Sequence, residues 1–249
     1  MKYQKSVDFI FLVIAFTFLS CTKNDSPVIE DPSITRDIQI NSLSNILILD
    51  DGFLVTGVRN SKVTILKLDV NFNTIWEKNN YEWGTLTSTG GWGGSFYSMD
   101  IKNIFIDDHG NLICFCSKME GGDVVWSSVL IVKLDKYGNE INRIELANTS
   151  LVDVAKTSDN GYLLAGNKLI KFNADLSTSL EIDNQNYVFS GAKIINTNDK
   201  DLALTGTWNS DQVLFQKLDE RGNIQWTKKS FNQKHFNDLG NDLSQLSNG

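Results

Sequence analysis

The sequence predicts an all-β protein made of repeated four-stranded units, and three observations predict it. Apolar runs are short and alternate with polar residues, the period of a half-buried strand, and no segment carries a sustained helical period. The turns between runs hold Gly, Asn or Asp, residues that tolerate the left-handed backbone of tight hairpins. One phrase then recurs four times: an apolar strand, an Asp/Asn-x-Gly turn, an alternating strand ending in Gly, a third strand ending in Lys-(Leu/Phe)-(Asp/Asn), a turn, and a short fourth strand.

In the first copy Ile46, Leu47, Ile48 and Leu49 lead to Asp51-Gly52, an alternating run from Phe53 to Gly57, then Ile65-Leu66-Lys67-Leu68-Asp69 and Ile75-Trp76. The second has Ile104 to Ile106, Asp108-His109-Gly110, Leu112 to Cys116, Ile131-Val132-Lys133-Leu134-Asp135, a turn at Tyr137-Gly138-Asn139, and Ile141 to Leu146. Val152-Asp153-Val154 opens the third, followed by Asp159-Asn160-Gly161, Tyr162 to Gly166, Leu169-Ile170-Lys171-Phe172-Asn173 and a weak last strand near Leu180 to Ile182. The fourth runs through Ile194-Ile195, Asp199-Lys200-Asp201, Leu202 to Gly206, Phe215-Gln216-Lys217-Leu218-Asp219 and Arg221-Gly222-Asn223 to Ile224-Gln225-Trp226.

The lysine of the phrase falls at 67, 133, 171 and 217, giving intervals of 66, 38 and 46 residues. Four strands in about 40 to 50 residues is the spacing of a propeller blade. The expected fold is therefore an all-β β-propeller of four-stranded blades, about four blades plus a partial one, with repeats over 38–249 at about 38–80, 96–147, 150–184 and 190–230 and a stub at 238–249. A sandwich of hairpins would account for the strands but not for the fourfold recurrence. Closed propellers hold about four to eight blades. Residues 241–249 (NDLSQLSNG) look like the first strand and Asx-Gly turn of another copy, so an incomplete or truncated ring is expected, with closure onto the first blade as the alternative.

The amino end reads as an address. Lys2 and Lys5 precede an apolar run at 9–19 (FIFLVIAFTFL) that ends at Ser20-Cys21. That run is too short for a bilayer, which needs roughly 20 helical residues, and fits the apolar core of a signal peptide. A small residue directly before a cysteine at the end of such a run resembles the lipobox of bacterial lipoproteins. That resemblance implies a signal peptide at 1–20, lipidation of Cys21, and a flexible tether over 21–37 that contains both prolines, Pro27 and Pro32. A secretory signal cut nearby, with Cys21 incidental, is the alternative. Each buried methylene of an acyl chain contributes about 0.8 kcal/mol, so two or more chains hold the protein on the membrane. Lys23 and Asp25 resemble a lipoprotein export tag, and the expected location is the cell envelope, on the periplasmic or surface face of the outer membrane.

Composition closes off other classes. With 41% hydrophobic and 21% charged residues the chain of 249 is not disordered, and 2 prolines against 18 glycines exclude a proline-rich stalk. Lys+Arg 23 against Asp+Glu 30 gives a net charge of -7, so no basic footprint for nucleic acid is present.

The clearest copy, Lys217 to Trp226 (Lys-Leu-Asp-x-x-Gly-Asn-Ile-x-Trp), resembles the blade repeats of bacterial β-propeller lipoproteins. It is also similar to the quinoprotein-like repeat of the outer-membrane assembly propeller and the pyrroloquinoline-quinone dehydrogenases. The resemblance covers about residues 40–230 and speaks to architecture more than activity. Trp76 and Trp226 occupy equivalent positions of the phrase, so both are expected to wedge one blade onto the next, with a docking role for either as the alternative.

Candidate chemistry is sparse. No Gly-x-Ser-x-Gly, His-Glu-x-x-His or glycine-rich phosphate loop occurs, so no catalytic residue is expected. Cys114 and Cys116 alternate within one strand and point to one face, where a disulfide between them would be strained and both serve as small hydrophobes. With only His109 and His235 to add, a zinc site is not expected, and no cofactor is. Asp69 to Asn73 has the alternating oxygens of a calcium loop but lacks its glycine and distal glutamate, and reads as a β-turn. Two insertions stand out, 81–97 (YEWGTLTSTGGWGGSFY) and 119–126, together with a comparable hairpin at Trp208. Exposed aromatic rings stack on sugars or anchor protein contacts, so Trp83, Trp92, Trp126 and Trp208 are the candidate binding residues if their loops share one rim. Covering neighbouring hydrophobic surface is the bland alternative. The expected function is a non-catalytic, lipid-anchored envelope scaffold whose partner is a protein or a glycan. The alternatives are a degenerate quinoprotein-like enzyme or subunit, and a fragment of a longer propeller.

Overall fold

The computed structural model describes residues 40–60, 62–79, 87–88, 96–121, 125–183, 193–208, 212–229 and 243–245. The first sheet contains β1 (Ser42–Leu49), β2 (Gly52–Arg59), β3 (Lys62–Leu68) and β4 (Thr74–Asn79). The second contains β5 (Thr87–Ser88), β6 (Phe96–Ile106), β7 (Leu112–Gly121), β8 (Val125–Leu134) and β9 (Glu140–Ala147). The third holds β10 (Asp153–Lys156), β11 (Tyr162–Ala165), β12 (Lys168–Phe172) and β13 (Thr178–Asp183), and the fourth β14 (Lys193–Asn196), β15 (Leu202–Trp208), β16 (Gln212–Leu218) and β17 (Ile224–Lys229). Every sheet is an antiparallel meander in chain order, and no helix occurs among the described residues. The four copies of the phrase are thus four sheets, arranged as successive propeller-like blades.

Two details depart from the sequence expectation. The stretch 119–126, read as an inserted loop, is largely strand: Met119, Glu120 and Gly121 pair with Ser127, Trp126 and Val125, so the β7–β8 hairpin is simply longer than its equivalents. Composition rich in Gly and acidic residues hid a register that runs on unbroken. The first segment also contributes a strand, because Thr87–Ser88 pairs with β6 and makes the second sheet five-stranded.

Alternation along each strand sends one set of side chains to the preceding sheet and the other to the following one. Leu54, Val63 and Ile65 of the first sheet meet Ile104, Cys114, Val132 and Leu134 of the second. From its other face the second sheet sends Ile113, Phe115, Val129 and Ile131 onto Tyr162, Leu164, Ile170 and Phe172 of the third. Leu163, Ala165 and Leu169 then meet Ile194, Leu202, Leu204 and Leu214 of the fourth. Phe115, Phe105 and Tyr162 meet as a triad, with Phe105 edge-on to Phe115 at 5.9 Å and Tyr162 at 5.4 Å from Phe115 and 5.3 Å from Phe105, and such pairs contribute about 0.5–1.5 kcal/mol each beyond burial. The ring is not closed: among the described residues no such cluster joins the fourth sheet to the first.

The first full-length strands of consecutive sheets lie against one another and are tied by polar side chains at one recurring position. Asn45 donates its amide to the carbonyls of Ile101 (2.8 Å) and Lys102 (3.0 Å) in the second sheet. Asn103 reaches Asp153 Oδ1 at 3.2 Å and the Val154 carbonyl at 3.3 Å in the third. Buried Asp153 in turn accepts the Ile194 N–H at 2.9 Å and pairs with Lys193 of the fourth.

Candidate functional site

Strand direction divides the molecule into two rims. At one rim lie the turns joining the first strand to the second and the third to the fourth within each sheet. At the other lie the hairpins joining the second strand to the third.

The first rim is stereotyped. Four of its turns begin with Asp and end with Asn: Asp69 to Asn73, Asp107 to Asn111, Asp135 to Asn139 and Asp219 to Asn223. In each, one carboxylate oxygen accepts the backbone N–H groups two and four residues on, and the other accepts the closing Asn amide, as at Asp135 (2.8, 2.8 and 3.0 Å). The fourth residue of the turn is left-handed, with φ of 78° at Gly110 and Gly138 and 61° at Phe72. That is a type I turn followed by a left-handed bulge residue, matched to the twist of the flanking strands. The Asp69 segment, with its calcium-like oxygen spacing, is such a turn.

The repeated lysine acquires a role here. Lys67 pairs with Asp51 at 2.6 Å, Lys133 with Asp107 at 2.8 Å, Lys171 with Asp159 at 2.9 Å, and Lys217 with Asp199. Each pair ties the third strand to the turn between the first two. The hydrogen bond from Lys67 holds the Asp51 carboxyl below its ordinary range, and the hydrogen bonds from Lys217 and Thr197 bring Asp199 down to about 2. Burial alone would raise Asp107 and Asp159, but hydrogen bonds from Lys133 and Asn111, and from Thr157 and Lys171, outweigh it and hold both low. Lys171 is only 2% exposed.

Trp76 wedges onto the next sheet as the repeat implied. Its indole N–H donates to the Lys136 carbonyl at 3.1 Å, and its ring lies on Gly138, where a Cβ would stand 3.1 Å away. Cys114 and Cys116 are free and buried in the same interface, and burial pushes the Cys114 thiol up to about 12 and the Cys116 thiol up as well.

The second rim varies from sheet to sheet. Trp126 stands near the tip of the long β7–β8 hairpin, paired across it with Glu120, and is 61% exposed, with Met119 exposed nearby. Trp208 closes β15 on the β15–β16 hairpin, opposite Gln212, so these two candidates do share a rim. Trp83 and Trp92 lie outside the described residues, as does Cys21. On the same side, between β1 and β6, opens a cleft of about 740 Å³ of mixed lining, with Leu43, Val58 and Met99 beside Ser44, Asp100 and Lys102. Ser44 donates to Asp100 at 2.7 Å, and Lys102 pairs with the other carboxylate oxygen at 2.9 Å. Among the described residues no group of three or more His, Cys, Asp or Glu is placed to hold a metal ion.

Fold and rims together define a class, an open array of propeller-like blades with one uniform rim and one variable rim. No protein-family model matches the chain, and no curated protein matches it.

Proposed function

We propose that the protein is a non-catalytic, lipid-anchored scaffold of the bacterial cell envelope that docks an envelope protein or glycan through its variable rim. The observation that carries this reading is Trp126, a large exposed aromatic side chain on a strand-paired hairpin, on the rim where the repeat is least obeyed. A strand-borne aromatic loses little conformational entropy on binding, which is why such side chains dominate contact energies. Cys21, behind its short apolar run, supports the anchor.

Docking is tested by co-sedimentation of the purified chain with cell-wall glycan and, separately, with outer-membrane vesicles before and after protease treatment. Trp126→Ala is expected to weaken binding by about 2 kcal/mol, roughly 30-fold, at unchanged melting temperature. Binding that is indifferent to Trp126 contradicts the reading. For the anchor, Cys21→Ala is expected to move the protein from the membrane fraction to the soluble one, and unchanged retention contradicts it.

A further inference from the structure

The face that each sheet turns toward its successor uses the same positions throughout. On the third strand these are Ile65, Ile131, Leu169 and Phe215, each paired with a second-strand residue: Thr56, Phe115, Ala165 and Thr205. Ile65, Ile131 and Leu169 are buried under the next sheet, whereas Phe215 is 39% exposed. On the fourth strand the residue opposite the repeated lysine is Trp76, Asn142, Leu180 or Trp226. Trp76 lies on Gly138 of the second sheet, and Leu180 lies beside Gly222 of the fourth, 3.5 Å from where its Cβ would be. Where the small Asn142 stands, the corresponding turn carries buried Leu176 in place of glycine. Trp226 has the same wedge position but is 43% exposed, with Lys228 over its ring at 5.4 Å.

The inner part of the same face is covered. Thr205 and Thr207 are buried, and Gln245 accepts the Asn198 N–H at 2.8 Å. Asn198 is the second residue of its turn, the place of Asp108 in the second sheet, which receives Asn160 (2.9 Å) and Lys156 (3.7 Å) from the following sheet. Matching Asn248-Gly249 to Asn160-Gly161 places Gln245 at Thr157, the first residue of the turn that follows β10. The same match puts Asn241 at the position of Asp153 and Asn103, the residues that tie one sheet to the next.

We infer that the exposed half of the fourth sheet, Phe215 and Trp226, is the acceptor for a fifth sheet of the same repeat, continuous with Leu243 to Gln245. The turn between the last two strands of that sheet would carry glycine at its left-handed position, with Trp226 lying on it and donating its indole N–H to a backbone carbonyl there, as Trp76 does on the second sheet.

The test extends the full chain after Gly249 with a copy of residues 112–147, which supply three strands and the Gly138 turn. Hydrogen exchange of 224–229 is then compared in the extended and unaltered chains. The expected result is slowing of at least about tenfold in β17 on extension, with Trp226→Ala restoring the fast exchange. Unchanged exchange in β17 overturns the inference, as does an appended segment that exchanges like an unfolded chain. Light scattering of the unaltered chain provides the second measurement. It is expected to show no dimer that depends on Trp226; a dimer abolished by Trp226→Ser overturns the assignment in favour of a second copy as the occupant.

Discussion

The two rims are built from the same strands and differ in what they conserve of the repeat. At the turn rim, Asp, Asn or Thr opens each five-residue turn, a left-handed residue sits fourth, and a lysine from the third strand reaches a carboxylate in every sheet. At the hairpin rim, the second-to-third strand connection passes from a tight turn near Asn60 to the long arms of β7 and β8. Backbone satisfaction explains the first rim: the opening carboxylates accept the N–H groups of their own turns, and the repeated lysines pair with carboxylates of the same sheet. Departure from the repeat at the second rim costs nothing in blade packing, so it is where function is free to accumulate.

The largest expected effect sharpens that contrast within the turn rim. Gly110→Val and Gly138→Val each force a left-handed φ of 78° onto a branched residue, about 1–2 kcal/mol. At Gly138 the new side chain also meets Trp76 and Lys78 about 3 Å away, whereas Gly110 opens onto free space. Gly138→Val is therefore expected to cost a further ~1–3 kcal/mol in denaturant unfolding; equal losses would break the account of the wedge. Next comes Lys171→Met against Lys67→Met. The buried lysine is expected to lose ~1–3 kcal/mol, below the usual range for buried pairs because Asp159 is half exposed and rehydrates, while Lys67 loses less than ~1 kcal/mol.

A smaller, collective effect is read by pH. Asp51, Asp107, Asp159 and Asp199 are all held below the ordinary value of 3.8 in the folded state, so the unfolded chain takes up protons first as pH falls. Their stabilisation is complete above about pH 4 and is lost progressively towards about pH 2 and below, the folded value of Asp199. Melting temperatures between pH 5 and pH 2 check the sign, and Lys171→Met should flatten the curve. The smallest effect is an absence: Cys114 and Cys116, with raised thiol values and no exposure, should resist alkylation at pH 8 until the chain unfolds.

Much of the architecture was legible because it repeats. The lysine at 67, 133, 171 and 217 marked every sheet, and even the weak run near Leu180 proved to be β13. Its partner was not legible, since a cross-strand pair such as Lys217 with Asp199 leaves no local signal. The Asn45, Asn103 and Asp153 ties were hidden for another reason: the side chains change while the role persists, and several of their partners are backbone groups. For the candidate site, sequence reading identified the exposed Trp126 but mistook its strand for a loop, because Gly121 and its acidic neighbours imitate a turn. The cleft beside Asp100 could not be foreseen, as it is assembled from β1, β2 and β6.

The division of labour between the rims is tested most directly by one paired measurement, unfolding free energy and envelope binding on Lys171→Met and Trp126→Ala side by side. Lys171→Met is expected to lose stability while the folded fraction binds normally, and Trp126→Ala to keep its stability and lose binding. Loss of binding by Lys171→Met at full stability, or loss of stability by Trp126→Ala with binding intact, would contradict that division.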